Sequence, residues 1–132
     1  MKVSYYTLLP PPTLAGIVRF FWVFEIQGID GNPYIYRSMA DGCAELVFHY
    51  KGPFTELKSN NRGATFKACL HSQKMHHRRF EVCEDFGIFG AYIFPFALPR
   101  LFGYPASALA NEMPDLVALM GQDGRILEER II

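Results

Sequence analysis

Cysteine is scarce in this chain. Cys43, Cys69 and Cys83 are an odd number, widely spaced, with no Cys-x-x-Cys among them. That pattern excludes a disulfide framework and fits reduced, mostly buried thiols in a cytoplasmic protein. Net charge is missing too: thirteen basic residues balance thirteen acidic ones. A domain that grips DNA by itself usually carries a basic excess, because phosphate neutralisation supplies much of the affinity. Autonomous nucleic-acid binding is therefore not expected. No apolar run reaches the roughly 20 residues that cross a bilayer. The longest uncharged stretch, Phe86 to Pro99, contains two glycines and two prolines. The segment before Pro10-Pro11-Pro12 lacks a signal-peptide core. A cytoplasmic protein without a membrane partner is the expectation. Catalytic patterns are absent as well: no Gly-x-Ser-x-Gly elbow, no glycine-rich phosphate loop and no evident carboxylate couple. Neither an enzyme nor a cofactor is predicted.

What is abundant is apolar and aromatic surface. Half of the 132 residues are hydrophobic and 15% are aromatic, enough for one well-packed domain. Up to about Pro95 short apolar runs alternate with turn residues. Val18 to Ile26 is apolar on both faces, as a strand covered on both sides would be. Gly28 to Pro33 is a turn cluster. Further strands are predicted over 34–39, 43–50, 65–70, 78–84 and 87–94, with an exposed loop over 55–63. After Phe96 the signals become helical: Pro99, then Pro105 to Ala110, then Pro114 to Met120, then a helix from Asp123 with Asp123 as its cap. The predicted fold is α+β, a small antiparallel β-barrel or sandwich of about six or seven strands over 1–95, then short helices over 96–132. The helix from Asp123 ends on two isoleucines without a C-cap, as expected if a longer polypeptide were cut there; a short frayed terminal helix is the alternative.

Arg37 and Glu45 stand out because they interrupt apolar runs, where a charge is costly unless paired or used. If Ala40-Asp41-Gly42 is a three-residue hairpin loop, Arg37 faces Glu45, with His49 further along the same face. A two-residue turn at Asp41-Gly42 would place the two charges on opposite faces instead. The pair serves either as a directional contact for a small ligand or as an internal salt bridge. His71, His76, His77 and Glu81 make a poor metal cluster, because adjacent His76 and His77 point to opposite faces of a strand. Lys74 to Arg79 is the main basic run, but Glu81, Glu84 and Asp85 follow it, as in a solvated edge. Trp22, amid Phe20, Phe21 and Phe24, has the surroundings of a core residue.

Three segments resemble the N-terminal sensor-type domain of one subgroup of AraC-type bacterial transcription regulators. They are Pro11 to Glu25, with its prolines followed by Phe-Trp; Arg37 to His49, with Asp41-Gly42-Cys43-Ala44-Glu45; and Gly87 to Leu109, with Phe94-Pro95 followed by Leu101-Phe102-Gly103. Ala40 stands where the family commonly has proline, and 55–80 contributes nothing specific. The resemblance implies a cupin-like domain that receives a small-molecule or protein signal. It would pass that signal to a C-terminal pair of helix-turn-helix motifs, which these residues do not contain. Contact with DNA would then run only through that other domain, and a homodimer is compatible. Arg37, Glu45 and His49 are the expected polar contacts of an effector pocket, with Trp22 and Tyr92 as its walls, and the helix from Asp123 is the expected coupling element. A free-standing cupin-like binding protein or metal-dependent enzyme is the alternative.

Overall fold

A computed structural model of the chain describes residues 1–38, 44–52, 55–57, 62–63, 67–71, 78–104 and 115–132. Among these the strands are β1 (Lys2–Leu8), β2 (Val18–Gln27), β3 (Tyr34–Ser38), β4 (Ala44–Lys51), β5 (Thr55–Leu57), β6 (Arg62–Gly63), β7 (Ala68–His71), β8 (Arg78–Val82) and β9 (Phe86–Ile93). The helices are α1 (Leu98–Phe102), α2 (Leu116–Met120) and α3 (Gln122–Ile131). Every ladder is antiparallel. A five-stranded sheet has the order β1-β2-β9-β4-β7, and a four-stranded sheet the order β3-β8-β5-β6. The class is α+β, as the sequence predicts. Among the described residues no ladder joins the two sheets, so the arrangement is sandwich-like and not a closed barrel.

Burial follows from strand alternation. One face of the large sheet packs Val18, Phe48, Leu70, Ala91 and Ile93 against Leu98, Phe102 and Leu116 of the helices. The opposite face packs Ile26, Val47, Cys69, Phe86 and Ile88 against Phe80 and Val82 of β8. The large sheet is thus a middle layer, and its central strands carry apolar residues on both faces. β2 touches both clusters, as its two-sided apolar run predicts.

The predicted Arg37–Glu45 hairpin does not form. β4 has both edges occupied, by β9 and β7, whereas β3 pairs along its whole length with β8 in the other sheet. Arg37 lies opposite Arg79 in that ladder. The physical reason is burial: Val47 and Phe48 are almost wholly covered on opposite faces of β4, which demands a central position. Ile35 on β3 is half exposed, which suits an edge. Residues 39–43, on which the predicted turn and Cys43 fall, lie outside the described residues.

Other boundaries also moved. The segment expected as an exposed loop contains β5 and β6, each too short to show alternation; β5 pairs with β8 on one side and with β6 on the other. β1 was not anticipated; it is an edge strand with mostly exposed side chains, so it lacks the apolar run that marks a buried strand. Cys69 is buried, but Cys83 is exposed. The helical signals at Pro105 to Ala110 lie outside the described residues. Pro99 opens α1, and Gly103 closes it in the left-handed conformation with its N–H donating to Pro99 O at 2.9 Å. The Asp115 carboxylate caps α2 by accepting from the Ala118 N–H at 3.3 Å. α3 begins after Gly121, and Asp123 sits in its first turn, not at its cap.

Candidate functional site

In antiparallel ladders directly opposed residues project to the same face. On the face toward the small sheet, Phe20, Tyr92, Glu45 and His71 are successive partners across β2, β9, β4 and β7. Beside that row run Thr7, Trp22, Gly90, Val47 and Cys69, and beyond it Tyr5, Phe24, Ile88 and His49. Four of the five predicted site residues, Trp22, Glu45, His49 and Tyr92, therefore share one face of one sheet. Arg37 belongs to a strand of the other sheet, and its side chain lies outside the described residues.

The detail that organises this face is Gly90. A Cβ built there would lie 2.2 Å from Trp22 Cε2 and 2.3 Å from Cζ2, so the indole lies flat across the β9 backbone. Only glycine leaves that space. Tyr5 stacks on the indole with centroids 6.4 Å apart. Phe20 and Tyr92 form a second stack at 4.8 Å, with the Arg19 guanidinium 5.9 Å from the Phe20 ring. His71 stacks on Phe80 of the opposing sheet at 5.7 Å.

The polar groups are few and mostly sheltered. His49 and His71 are buried, and Glu45 is half-buried between Tyr92 and His71 in the ladder. The Tyr5 hydroxyl is pushed above its ordinary pKa, first by burial and then by the Glu45 charge, so the carboxylate is felt as far as β1. Trp22 Nε1 is buried with no hydrogen-bond partner among the described residues. A sheltered N–H of this kind costs about 1–3 kcal/mol unless an acceptor meets it. Together these groups offer flat aromatic walls, an N–H donor, a carboxylate acceptor and two imidazoles, the chemistry of small-molecule recognition. Among the described residues no group of three or more His, Cys, Asp or Glu could hold a metal ion. His76 and His77 lie outside them.

Sequence reasoning missed Tyr5 and the placement of His71. Tyr5 sits in a strand with no apolar run to announce it. His71 enters through its register with Glu45, which no local pattern encodes.

The opposite face repeats the glycine device. Gly87 lies under the Tyr50 ring, and the Tyr50 hydroxyl donates to Glu25 Oε1. Its pKa is strongly raised, by burial first, then by the hydrogen bond to Glu25 and the charge beside it. The folded state thus keeps this proton after the unfolded chain has lost its own. Above the ordinary tyrosine value of 10.0 the unfolded state binds fewer protons, and stability falls as pH rises. Tyr50→Phe is expected to lower stability by about 1 kcal/mol at neutral pH and to flatten the decline above the ordinary tyrosine pKa. Urea denaturation at several alkaline pH values reads both effects; an unchanged alkaline slope would contradict the assignment.

The family described as Domain of unknown function (DUF6597) matches residues 6–115. The chain belongs to this family. The matched span begins inside β1 and ends at the cap of α2, so it holds Trp22, Glu45, His49, Gly90 and Tyr92. Tyr5 and the whole of α2 and α3 fall outside it. No curated protein and no solved structure matches the chain. Among the described residues no helix is long and apolar enough to cross a membrane.

Proposed function

We propose that the chain is the regulatory, ligand-sensing domain of an AraC-type transcription regulator, controlling DNA binding by a helix-turn-helix domain that would follow it. One observation carries this reading. The three segments that resemble such regulators, far apart in sequence, contribute β2, β4 and β9, which are consecutive strands of one sheet. They bring Trp22, Glu45, His49 and Tyr92 to one face. The resemblance thus coincides with a polar, aromatic surface suited to a small effector. The Phe94-Pro95 to Gly103 passage leads from β9 into α1, linking that sheet to the helical layer through which a signal would leave. In this reading α3 is the coupling element, because Leu127 and Ile131 pack against the core cluster on the far side of the same sheet.

The test is a thermal-shift screen over sugars, aromatic acids and nucleosides. A ligand of the folded state at a hundred times its Kd stabilises by about 2.7 kcal/mol. A compound that raises Tm should also alter the fluorescence of Trp22, the only tryptophan, and both responses should weaken at least tenfold in Glu45→Gln. A stabilising compound that leaves Trp22 emission unchanged and binds Glu45→Gln equally well would place its site elsewhere.

A further inference from the structure

The large sheet has two edges, and the fold treats them differently. β7 at one edge is four residues long, wholly buried, and bridged through Cys69 to Asp115 before α2. β1 at the other runs seven residues in unbroken register with β2. It has no proline and no interior charge; Lys2, at its first position, is its one charged side chain. No described strand pairs with its outer side. Val3, Tyr5, Tyr6 and Leu8 are 47%, 59%, 52% and 52% exposed, so apolar surface stands open on both faces of the strand. Natural sheets blunt an open edge with lysine, proline, bulges or short strands, because its row of N–H and C=O groups templates another strand. β1 carries none of these devices along its interior.

We propose that β1 is the surface through which two copies of the chain pair, extending the large sheet antiparallel across a two-fold axis. Alternating donors and acceptors on an open edge are matched only by another extended backbone. A second copy fits for three reasons. A two-fold axis normal to the sheet keeps each face on its own side, so opposed positions on β1 must have the same parity. The register centred on Tyr5 satisfies this and pairs all seven residues: Tyr5 meets its own equivalent, Val3 meets Thr7, Ser4 meets Tyr6, and Lys2 meets Leu8. It opposes no like charges, and the zero net charge of the chain adds no long-range repulsion between copies. Finally, it covers Tyr5 and Tyr6, the aromatic surface that the monomer leaves open. Because Tyr5 also stacks on Trp22 and feels Glu45, the paired edge adjoins the candidate site. Only this last link, from effector to pairing, rests on the proposed function.

Sedimentation velocity of the intact chain tests the pairing. A concentration-dependent dimer is expected in the micromolar range. Val3→Lys/Thr7→Lys opposes two lysines twice per dimer and should weaken association about tenfold. Val3→Lys/Thr7→Glu carries the same first lysine but opposes it to a carboxylate, and should associate as the parent does. Both variants alter exposed positions, and matching thermal melts by circular dichroism check that each monomer folds. A parent that stays monomeric throughout that range overturns the proposal. So does a dimer indifferent to Val3→Lys/Thr7→Lys, or one lost equally in Val3→Lys/Thr7→Glu. Effector binding is read separately, by the Tm shift of the monomer, so the two proposals fail independently.

Discussion

Gly90→Ala is expected to destabilise the protein by about 2–4 kcal/mol, combining overpacking with loss of the Tyr5–Trp22 stack. One methyl group has this effect because it would occupy space held by the body of the indole, 2.2 Å from Cε2, and not by the tip of a flexible chain. Either the indole swings off the sheet or β9 moves away from β2 and β4, between which it is bonded. Trp22, as the only tryptophan, reports the outcome directly: its emission should shift to the red, and Tm should fall by roughly 10 °C. The decisive control is a double-mutant cycle. In a Trp22→Ala background the space is free, and Gly90→Ala should be neutral or slightly stabilising, since alanine loses less backbone entropy in a strand. Additive effects in that cycle would contradict the contact.

Phe80→Ala is the second large effect, at about 3–5 kcal/mol, as for other fully buried phenylalanines. Phe80 is wholly buried on β8 and packs in the cluster between the two sheets, with the His71 ring stacked on it. Its loss removes the small sheet's main anchor on the large one, while the helix-side cluster around Phe48 and Leu98 stays intact. Chemical denaturation should show the full loss. Hydrogen exchange should accelerate in β3, β5 and β8 more than in β2 and β9. Uniform acceleration in both sheets would mean that the sheets unfold as one unit. Under the proposed sensing function, the loss of His71's stacking partner should also weaken binding of any compound found to stabilise the parent.

Both predictions concern contacts that no local pattern announces. β2, β4 and β9 were legible because their apolar runs need cover on both faces, and Pro99 and Pro114-Asp115 mark the helices near where they start. Trp22, Glu45, His49 and Tyr92 were legible as candidates because they are aromatic or ionisable side chains set in such runs. That Glu45 and His49 share a face follows from their spacing on one strand, but the meeting of that face with Trp22 and Tyr92 was not legible, since it depends on which strands become neighbours.

The sequence by itself determined the α+β class, the order of strands before helices and the buried character of the central strands. These depend on local composition and spacing, which the chain carries whatever its neighbours are. The tertiary structure alone decided that β3 and β4 part into different sheets, that Glu45 lies between Tyr92 and His71, that Trp22 rests on Gly90, and that β1 is an open edge. Strand pairing is a competition among all edges of the chain. An alternating segment states how deeply it is to be buried, but only the packed whole selects the partner that buries it.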